Sequence, residues 1–347
     1  MNGCIPPPRF PTETACEKEV FRGIFVLNEG QGGNGASIYY TDENAREVCT
    51  ELFEKVNNEP LGSIANDLLQ IEDTVYIVMD NSQRVYKIQL PTWKLLGTLQ
   101  LPDQSSPRHI YIVADTVAYL SSLFQAKAFV FNPIKMELIG EIPLPPYQDG
   151  INGYENKVFV ACGNLGGVKS NKIAVINATT QQVEQYLSLP LSNPGQILLK
   201  GDTLIVNCRG NYDVENDSSG AIFFINVQNL TLLHSVYIRG SVYEMAVVGN
   251  DLFAIRDVGD TTAALVSTGI MKVDLLTGKK TDIWMRETDF KPKEDADYIY
   301  SLDFDKEKGN LCVSFSISGK GFMITPFKEI VGTYKVGIYP NTVFFNR

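Results

Sequence analysis

Short runs of apolar, β-branched and aromatic residues recur along the chain at nearly regular intervals. The first set of runs begins at residues 23, 75, 117, 158, 204, 252 and 311. A second set follows it, at residues 38, 85, 128, 173, 222, 270 and 322. A third set comes after a short turn, with Glu47 to Leu52 as its first member, and a fourth set precedes the first set in each later unit, as from Asp67 to Ile71. Each run is only a few residues long, and no helical period of 3.6 residues is sustained. The pattern therefore predicts short β-strands joined by turns.

Four strands per unit of about 40 to 50 residues, repeated around the chain, are typical of a β-propeller. We predict an all-β fold, a seven-bladed β-propeller with four antiparallel strands per blade. The first unit lacks an innermost strand, but Pro340-Asn341-Thr342-Val343-Phe344 near the C-terminus resembles the innermost strands of the other units. This C-terminal strand is predicted to complete the first blade, which closes the ring and removes exposed sheet edges. Residues 21–347 then form one domain.

The N-terminal residues 1–20 are predicted to be a lipoprotein-type tether. A small residue directly before cysteine, as in Gly3-Cys4, is how a bacterial lipoprotein signal ends, so Cys4 is the expected lipid attachment site. The alternative, that Cys4 is an ordinary tail cysteine, stays open. The proline-rich stretch that follows, Ile5-Pro6-Pro7-Pro8, predicts an extended spacer.

The remaining cysteines divide into two groups. Cys16 in the tail and Cys49 in the first repeat can form one disulfide in an oxidising compartment. Cys162, Cys208 and Cys312 lie in or beside apolar strands and are expected to be buried thiols. No pair has CxxC spacing, so a cysteine metal site is not favoured.

Charge and histidine content exclude several function classes. The chain has 30 Lys and Arg against 40 Asp and Glu, a formal net charge of −10, without a basic cluster, which argues against nucleic acid as a partner. Its two histidines, His109 and His234, are too few for a His-rich zinc site or Ser-His-Asp catalysis. No apolar run has the length of a membrane span, so we expect membrane contact only through the lipid anchor.

The connections between second and third strands are long and varied, whereas the other connections within a blade are short. Long ordered loops usually carry function, so we place the site on the face that these loops share. The predicted ligand-binding residues are Asn28, Glu29, Arg84, Arg108, Phe124, Tyr147, Arg209, Asn211, Tyr212, Arg256 and Tyr298. Arginine, tyrosine and amides suit a large polar ligand that carries amides or phosphate. For Arg108 an alternative is that it ties neighbouring blades through backbone carbonyls.

A catalytic function has weaker support in the sequence. Oxygen-bearing side chains near the predicted axis are able to imitate the calcium site of propeller hydrolases, and they are Glu29, Asn66, Asp67, Asn164 and Asn207. No spacing selects them, and no general acid/base pair stands out. We therefore predict no catalytic residues, no resident metal and no cofactor.

Several motifs resemble the YncE-like propeller lipoproteins of Bacteroidetes. They are Leu27-Asn28-Glu29-Gly30 followed by Ala36-Ser37-Ile38-Tyr39-Tyr40, then Leu61 to Asp67, Asp80-Asn81-Ser82, Pro107 to Ile110, and Cys208 to Tyr212. The resemblance runs from about Phe21 to the C-terminus. It implies a seven-bladed, non-enzymatic binding protein. Some members of that family capture cobalamin at the cell surface and pass it to a TonB-dependent outer-membrane transporter, while others are surface-layer or uncharacterised proteins.

The leading hypothesis is a monomeric, lipid-anchored envelope protein, on the cell surface of the outer membrane, that binds a large solute on its long-loop face. The resemblance makes cobalamin or another corrinoid the first ligand to consider and a TonB-dependent transporter the expected partner. One alternative is a scaffold that docks on another protein, and a further one is a calcium-dependent hydrolase or lactonase.

Overall fold

A computed structural model describes residues 15–33, 35–43, 47–163, 169–210, 220–258, 267–290 and 297–347. In these ranges, seven antiparallel sheets of four strands each form a ring, which confirms the predicted seven-bladed β-propeller. The strands of blades 1 to 4 are β1 (Gly23–Asn28), β2 (Ser37–Asp42), β3 (Val48–Cys49), β4 (Ala65–Ile71), β5 (Thr74–Met79), β6 (Arg84–Gln89), β7 (Lys94–Gln100), β8 (Pro107–Ala114), β9 (Val117–Ser122), β10 (Lys127–Asn132), β11 (Glu137–Pro143), β12 (Gln148–Tyr154), β13 (Lys157–Cys162), β14 (Lys172–Asn177) and β15 (Gln182–Ser188). Those of blades 5 to 7 are β16 (Pro194–Lys200), β17 (Thr203–Cys208), β18 (Gly220–Asn226), β19 (Leu232–Ile238), β20 (Ser241–Val248), β21 (Asp251–Val258), β22 (Ser267–Asp274), β23 (Lys280–Arg286), β24 (Ile299–Asp305), β25 (Asn310–Phe315), β26 (Lys320–Ile324) and β27 (Ile330–Lys335), and the last strand of the chain is β28 (Pro340–Asn346).

The C-terminal strand closes the ring as predicted. β28 pairs with β1 and becomes the innermost strand of blade 1, with Phe344 opposite Phe25. The two rings stack at a centroid distance of 4.9 Å, and Trp93 of blade 2 stacks on Phe25 at 4.8 Å. Arg347 then pairs with Asp305 of blade 7, with 2.6 Å between Nη2 and Oδ2. The C-terminal strand is thus joined to β1 by a ladder and an aromatic cluster, and to blade 7 by an ion pair.

Strand burial follows position in the blade. The second strands are almost wholly buried, as in β5, because neighbouring blades cover both of their faces. The outermost strands alternate between exposed and covered residues, as in β7, where every second side chain faces solvent. The apolar core lies between blades, as in the cluster that includes Phe129, Leu120 and Tyr76 of blades 2 and 3.

Blade 1 departs from the predicted pattern at its outer edge. The run from Glu47 to Leu52 was expected to be a strand, but it forms only β3 and leads into a short helix, α1 (Leu52–Asn57). Leu52 and Phe53 are buried on one side of this helix. Asn57 at its end accepts a hydrogen bond from the Leu95 amide and donates one to the Trp93 carbonyl, which ties the helix to blade 2. Tertiary packing therefore overrides the strand pattern here.

The cysteines form the two groups that the sequence predicts, one disulfide and three buried thiols. Cys16 lies in a 3₁₀ turn, Ala15–Glu17, and forms a disulfide with Cys49 of β3, with their Cα atoms 5.1 Å apart. Cys162, Cys208 and Cys312 are buried free thiols, as predicted. Cys4 lies outside the described residues. Within the described part of the chain, no helix has the length and apolar character needed to cross a membrane.

Candidate functional site

A cavity of about 540 Å³ lies on the propeller axis. The innermost strand of every blade contributes to its wall. The lining residues are Glu29, Asn66, Arg108, His109, Asp149, Gln196, Arg209, Tyr243, Glu244, Ile255, Asp257, Tyr298, Ile299, Tyr300, Ser301 and Asn341. Most of them lie near the starts of innermost strands or the ends of second strands, so the cavity belongs to the face that carries the second-to-third-strand loops.

A β-bulge near the start of each innermost strand explains why these side chains face the axis. In β4 the pairing register shifts between Ala65 and Asp67, so that Asn66 falls outside the ladder. The same shift occurs in the other six innermost strands. The residues at the seven bulges are Asn66, Arg108 with His109, Asp149 with Gly150, Gly195 with Gln196, Tyr243 with Glu244, Tyr300, and Asn341. Every one of them except the glycines lines the cavity, because a bulge redirects side chains and loosens the ladder.

The inner edges of these strands would otherwise leave backbone groups without partners, and side chains of the neighbouring blade satisfy several of them. Asp67 accepts from the Ile110 amide at 2.9 Å, and Gln196 accepts from the Met245 amide at 2.7 Å. Asp303 accepts from the Val343 amide at 2.9 Å, which joins blade 7 to the C-terminal strand. Part of the polar lining therefore holds adjacent blades together.

One half of the cavity wall is organised around Asp149. Its carboxylate lies 3.0 Å from Arg209 Nη1, 3.3 Å from His109 Nε2 and 3.7 Å from Arg108 Nε. Burial alone would raise the pKa of Asp149, but the attraction of Arg209, the hydrogen bond with His109 and the charge of Arg108 hold it well below its usual range. Burial opposes a charge on His109, yet hydrogen bonds to Asp149 and Asp67 raise its pKa to about 10. His109 is therefore cationic at neutral pH.

Arg108 joins three blades. Its Nη1 donates to Asn66 Oδ1 at 2.8 Å and lies 3.7 Å from Asp80 Oδ2, both in blade 2, while its Nε faces Asp149 of blade 4. The alternative proposed for this residue, a tie between blades, matches these contacts, although the partners are side chains and not backbone carbonyls. Three cations thus meet three carboxylates, those of Asp67, Asp80 and Asp149, in this half of the wall.

The other half, from blades 6, 7 and 1, is acidic and aromatic. Glu29 accepts a hydrogen bond from Asn341 Nδ2 at 2.9 Å, and Gln196 Nε2 donates to Glu244 at 3.1 Å. Burial raises the pKa of Glu29 and of Glu244, and it does the same for the Tyr300 hydroxyl, which is hydrogen-bonded to Glu29. Asp257 has a raised pKa because of burial and of the nearby Glu287.

The structure brings together four of the predicted ligand-binding residues. They are Glu29, Arg108, Arg209 and Tyr298, all in the cavity wall. The remaining described ones lie elsewhere. Asn28 is buried, and its Oδ1 accepts a hydrogen bond from the Gly337 amide at 2.7 Å. This contact holds the segment before β28 against the end of β1.

Arg84 and Arg256 are on the same face but are not part of the described cavity wall. Arg84 donates to the Tyr86 hydroxyl at 3.1 Å within blade 2, and Arg256 donates to the Arg239 carbonyl at 2.8 Å. Phe124 is 57% exposed, and Tyr147 occupies a left-handed turn position before β12. Asn211, Tyr212 and Asn164 lie outside the described residues.

Several cavity residues were missing from the predicted set, above all Glu244, Tyr300 and His109. Their positions carried a usable signal, since each follows the first residue of an innermost strand by one to three places. Under strict alternation, adjacent residues of a strand such as Arg108 and His109 would lie on opposite faces of the sheet. The bulge in each innermost strand places both on the axis.

Two of the candidate calcium ligands, Asn66 and Asn207, make hydrogen bonds that join neighbouring blades. Asn66 Oδ1 accepts from Arg108 and its Nδ2 donates to the Pro107 carbonyl, while Asn207 Nδ2 donates to the Val242 carbonyl. The described residues contain no group of three or more His, Cys, Asp or Glu side chains arranged to hold a metal ion.

Comparisons with known proteins support the β-propeller fold and do not indicate a function. No protein-family model and no curated protein matches the chain. Among solved structures, the chain is similar to hydrazine synthase of Kuenenia stuttgartiensis, with a TM-score of 0.67, 13% identity and coverage of 78% of this chain and 85% of that one. It is also similar to a functionally unknown protein from Desulfotomaculum acetoxidans, with a TM-score of 0.62, 15% identity and coverage of 93% and 98%. The WD40 propeller domain of Doa1 aligns with a TM-score of 0.55, 12% identity and coverage of 85% and 89%.

Proposed function

We propose that this propeller is a binding protein that captures a polar solute in its axial cavity without transforming it. The observation that carries the proposal is the ring of bulges, which directs polar side chains from all seven blades into one cavity of about 540 Å³. This volume lies in the range of small-molecule sites, and convergent polar groups in a concave site are the usual mark of recognition.

The pairing of charges supports binding in preference to catalysis. On one half of the wall, three groups that are able to act as acid, base or oxyanion partner, Asp149, His109 and Arg209, are bonded to one another. A general acid or base needs a proton-transfer partner in the substrate, and a group held in an ion-pair network is poorly placed to supply one. The network instead fixes the shape of the wall.

The cellular setting of the proposal comes from the resemblance to the YncE-like lipoproteins. We propose that the chain is anchored through Cys4 on the cell surface of the outer membrane and passes its solute to a TonB-dependent transporter. A corrinoid is the first ligand to test. In this proposal the macrocycle covers the mouth of the cavity and directs peripheral amides or its phosphate toward Arg108 and Arg209.

Isothermal titration with cyanocobalamin, and with a panel of small polar solutes of each charge type, tests the capture proposal. Binding that is weakened in Tyr298→Ala but kept in Phe124→Ala is expected, because Tyr298 lines the cavity whereas Phe124 lies outside its wall on the same face. If no solute binds the intact protein at micromolar concentration, the capture proposal fails.

A second candidate, a protein-docking scaffold, is favoured by Phe124, an apolar ring that is 57% exposed on the cavity face. For this candidate, Phe124→Ala is the variant expected to lose binding and Tyr298→Ala is the control. Recovery of an envelope protein that is lost in Phe124→Ala and kept in Tyr298→Ala, without any bound solute, would favour the scaffold.

A further inference from the structure

The acidic half of the axial cavity has an excess of negative charge. Six residues of this half form what we call the tyrosine–carboxyl wall, namely Glu29, Glu244, Asp257, Tyr298, Tyr300 and Ser301. Among the described lining residues from blades 6, 7 and 1, none is lysine, arginine or histidine. The direct partners of Glu29 and Glu244 are neutral donors, namely Asn341, Tyr300 and Gln196.

The cations on the opposite half do not balance this excess. Arg108, His109 and Arg209 are in contact with Asp67, Asp80 and Asp149, and they act on Glu244 only from a distance. Carboxyl groups that are removed from water without a cationic partner are unfavourable when charged. An occupant that brings positive charge would relieve that cost.

An independent observation points to an occupant at the same wall. Ser301 is 1% exposed, lines the cavity, and its Oγ has no hydrogen-bond partner among the described residues. The Oδ1 atom of Asp257 is likewise buried without a hydrogen-bond partner in the described part of the chain. Buried polar atoms are nearly always bonded, so a hydroxyl and a carboxylate oxygen left open at one wall favour a ligand that donates hydrogen bonds.

The tyrosines supply the complementary surface. The rings of Tyr298 and Tyr300 lie 6.1 Å apart between centroids, and Tyr300 packs against Tyr339 at 5.2 Å, which fixes its orientation. Aromatic faces attract ammonium groups, most strongly where water is excluded. Carboxylates and tyrosine rings at one wall of a cavity are the groups that recognise an alkylammonium ion.

We propose that the tyrosine–carboxyl wall binds the ammonium group of a small organic cation. This inference rests on the proposed function, since it specifies the chemical class of the solute in the same cavity. Glu29 and Glu244 neutralise the charge, Tyr298 and Tyr300 cover the apolar surface around the nitrogen, and Ser301 and Asp257 accept hydrogen bonds from N–H or hydroxyl groups. The rest of the solute occupies the centre of the axis, toward Asp149.

Titration calorimetry with choline, tetramethylammonium and putrescine, against the neutral carbon isostere of choline, tests this inference. The intact protein is expected to bind at least one of the cations and to bind the isostere at least roughly tenfold more weakly. Glu244→Gln keeps the volume and the Gln196 contact, and it should weaken cation binding roughly tenfold or more because a charged acceptor is lost. Glu137→Gln, an exposed carboxyl on the outermost strand of blade 3, is the matched control and should bind like the parent.

Thermal unfolding of both variants checks that each is folded before binding is compared. Equal affinity for the cation and the isostere, or unchanged cation binding in Glu244→Gln, overturns the inference. If none of the cations binds while cyanocobalamin or an anionic solute binds in a Tyr298-dependent manner, the ammonium inference falls and the capture proposal stands. If nothing binds, both fall.

Discussion

Arg209 and Asp149 form an ion pair of 3.0 Å across the boundary between blades 5 and 4, inside the axial cavity. The arginine follows a second strand and the aspartate occupies the bulge of an innermost strand, so the pair joins the two layers of blade structure nearest the axis. His109 and Arg108 of blade 3 approach the same carboxylate. A single aspartate is therefore in contact with cations from both neighbouring blades.

Removing that charge should destabilise the protein strongly. Asp149→Asn removes the buried carboxylate that the half-buried Arg108, His109 and Arg209 share, so that these cations repel one another with less compensation, and we expect a loss of about 3–5 kcal/mol in the free energy of unfolding. Urea unfolding measures it. Asp282→Asn, at a surface carboxyl whose side chain is 52% exposed, should cost less than about 1 kcal/mol. Equal losses in the two variants would contradict the central role of Asp149.

His109 should make stability depend on pH. Its pKa rises from 6.5 to about 10 on folding, so its contribution is fully present below pH 6.5 and disappears as the pH rises toward about 10. His109→Gln should be less stable than the parent by about 1.5–3 kcal/mol at the acid end of this range, and the difference should shrink toward its alkaline end. Unfolding curves of both proteins across the range measure the gap. A gap that stays constant with pH would show that His109 is neutral in the folded protein.

Ring closure should depend on the aromatic cluster between the chain ends. Phe344 is 9% exposed and stacks on Phe25, so Phe344→Ala should lower the free energy of unfolding by about 3–5 kcal/mol. Phe327, which is 85% exposed, is the matched control, and its change to alanine should stay within about 0.5 kcal/mol. Denaturant unfolding compares the two, and similar small effects would mean that the C-terminal strand contributes little to closure.

The disulfide should stabilise blade 1 at its outer edge. The bond between Cys16 and Cys49 closes a loop with a sequence separation of 33, and its loss should cost about 2–4 kcal/mol. Thermal unfolding with and without reductant measures this. The double variant Cys16→Ser with Cys49→Ser should match the reduced parent and should not respond to reductant. A large response of the double variant would assign the effect to another group.

The repeating apolar runs were sufficient to predict the ring, because a propeller is built from local hairpins whose period survives in the sequence. Closure by β28 was also predictable, since Pro340 to Phe344 resembles the innermost strands of the other blades. Helix α1 was missed because the burial of Leu52 and Phe53 depends on contacts with blade 2 that no local pattern records.

The site was predicted only in part. Loop length indicated the face, and Glu29, Arg108, Arg209 and Tyr298 reach the cavity. Residue type alone also selected Arg84, whose side chain bonds within its own blade. What separates it from Arg108 is the bulge, a property of strand pairing that becomes visible only when the register is known.

The seven bulges affect which residues of this propeller can be replaced during evolution. A side chain such as Tyr300 or Asn341 lies outside the cross-strand ladder, so its replacement leaves every paired residue of the blade in register. Bulge residues of this kind, unlike Asp149 with its ion pairs between blades, line the cavity without holding the ladder together, and under the capture proposal they are the positions that set selectivity. If the capture proposal holds, specificity can change through single replacements at such positions while the pairing of the strands stays the same.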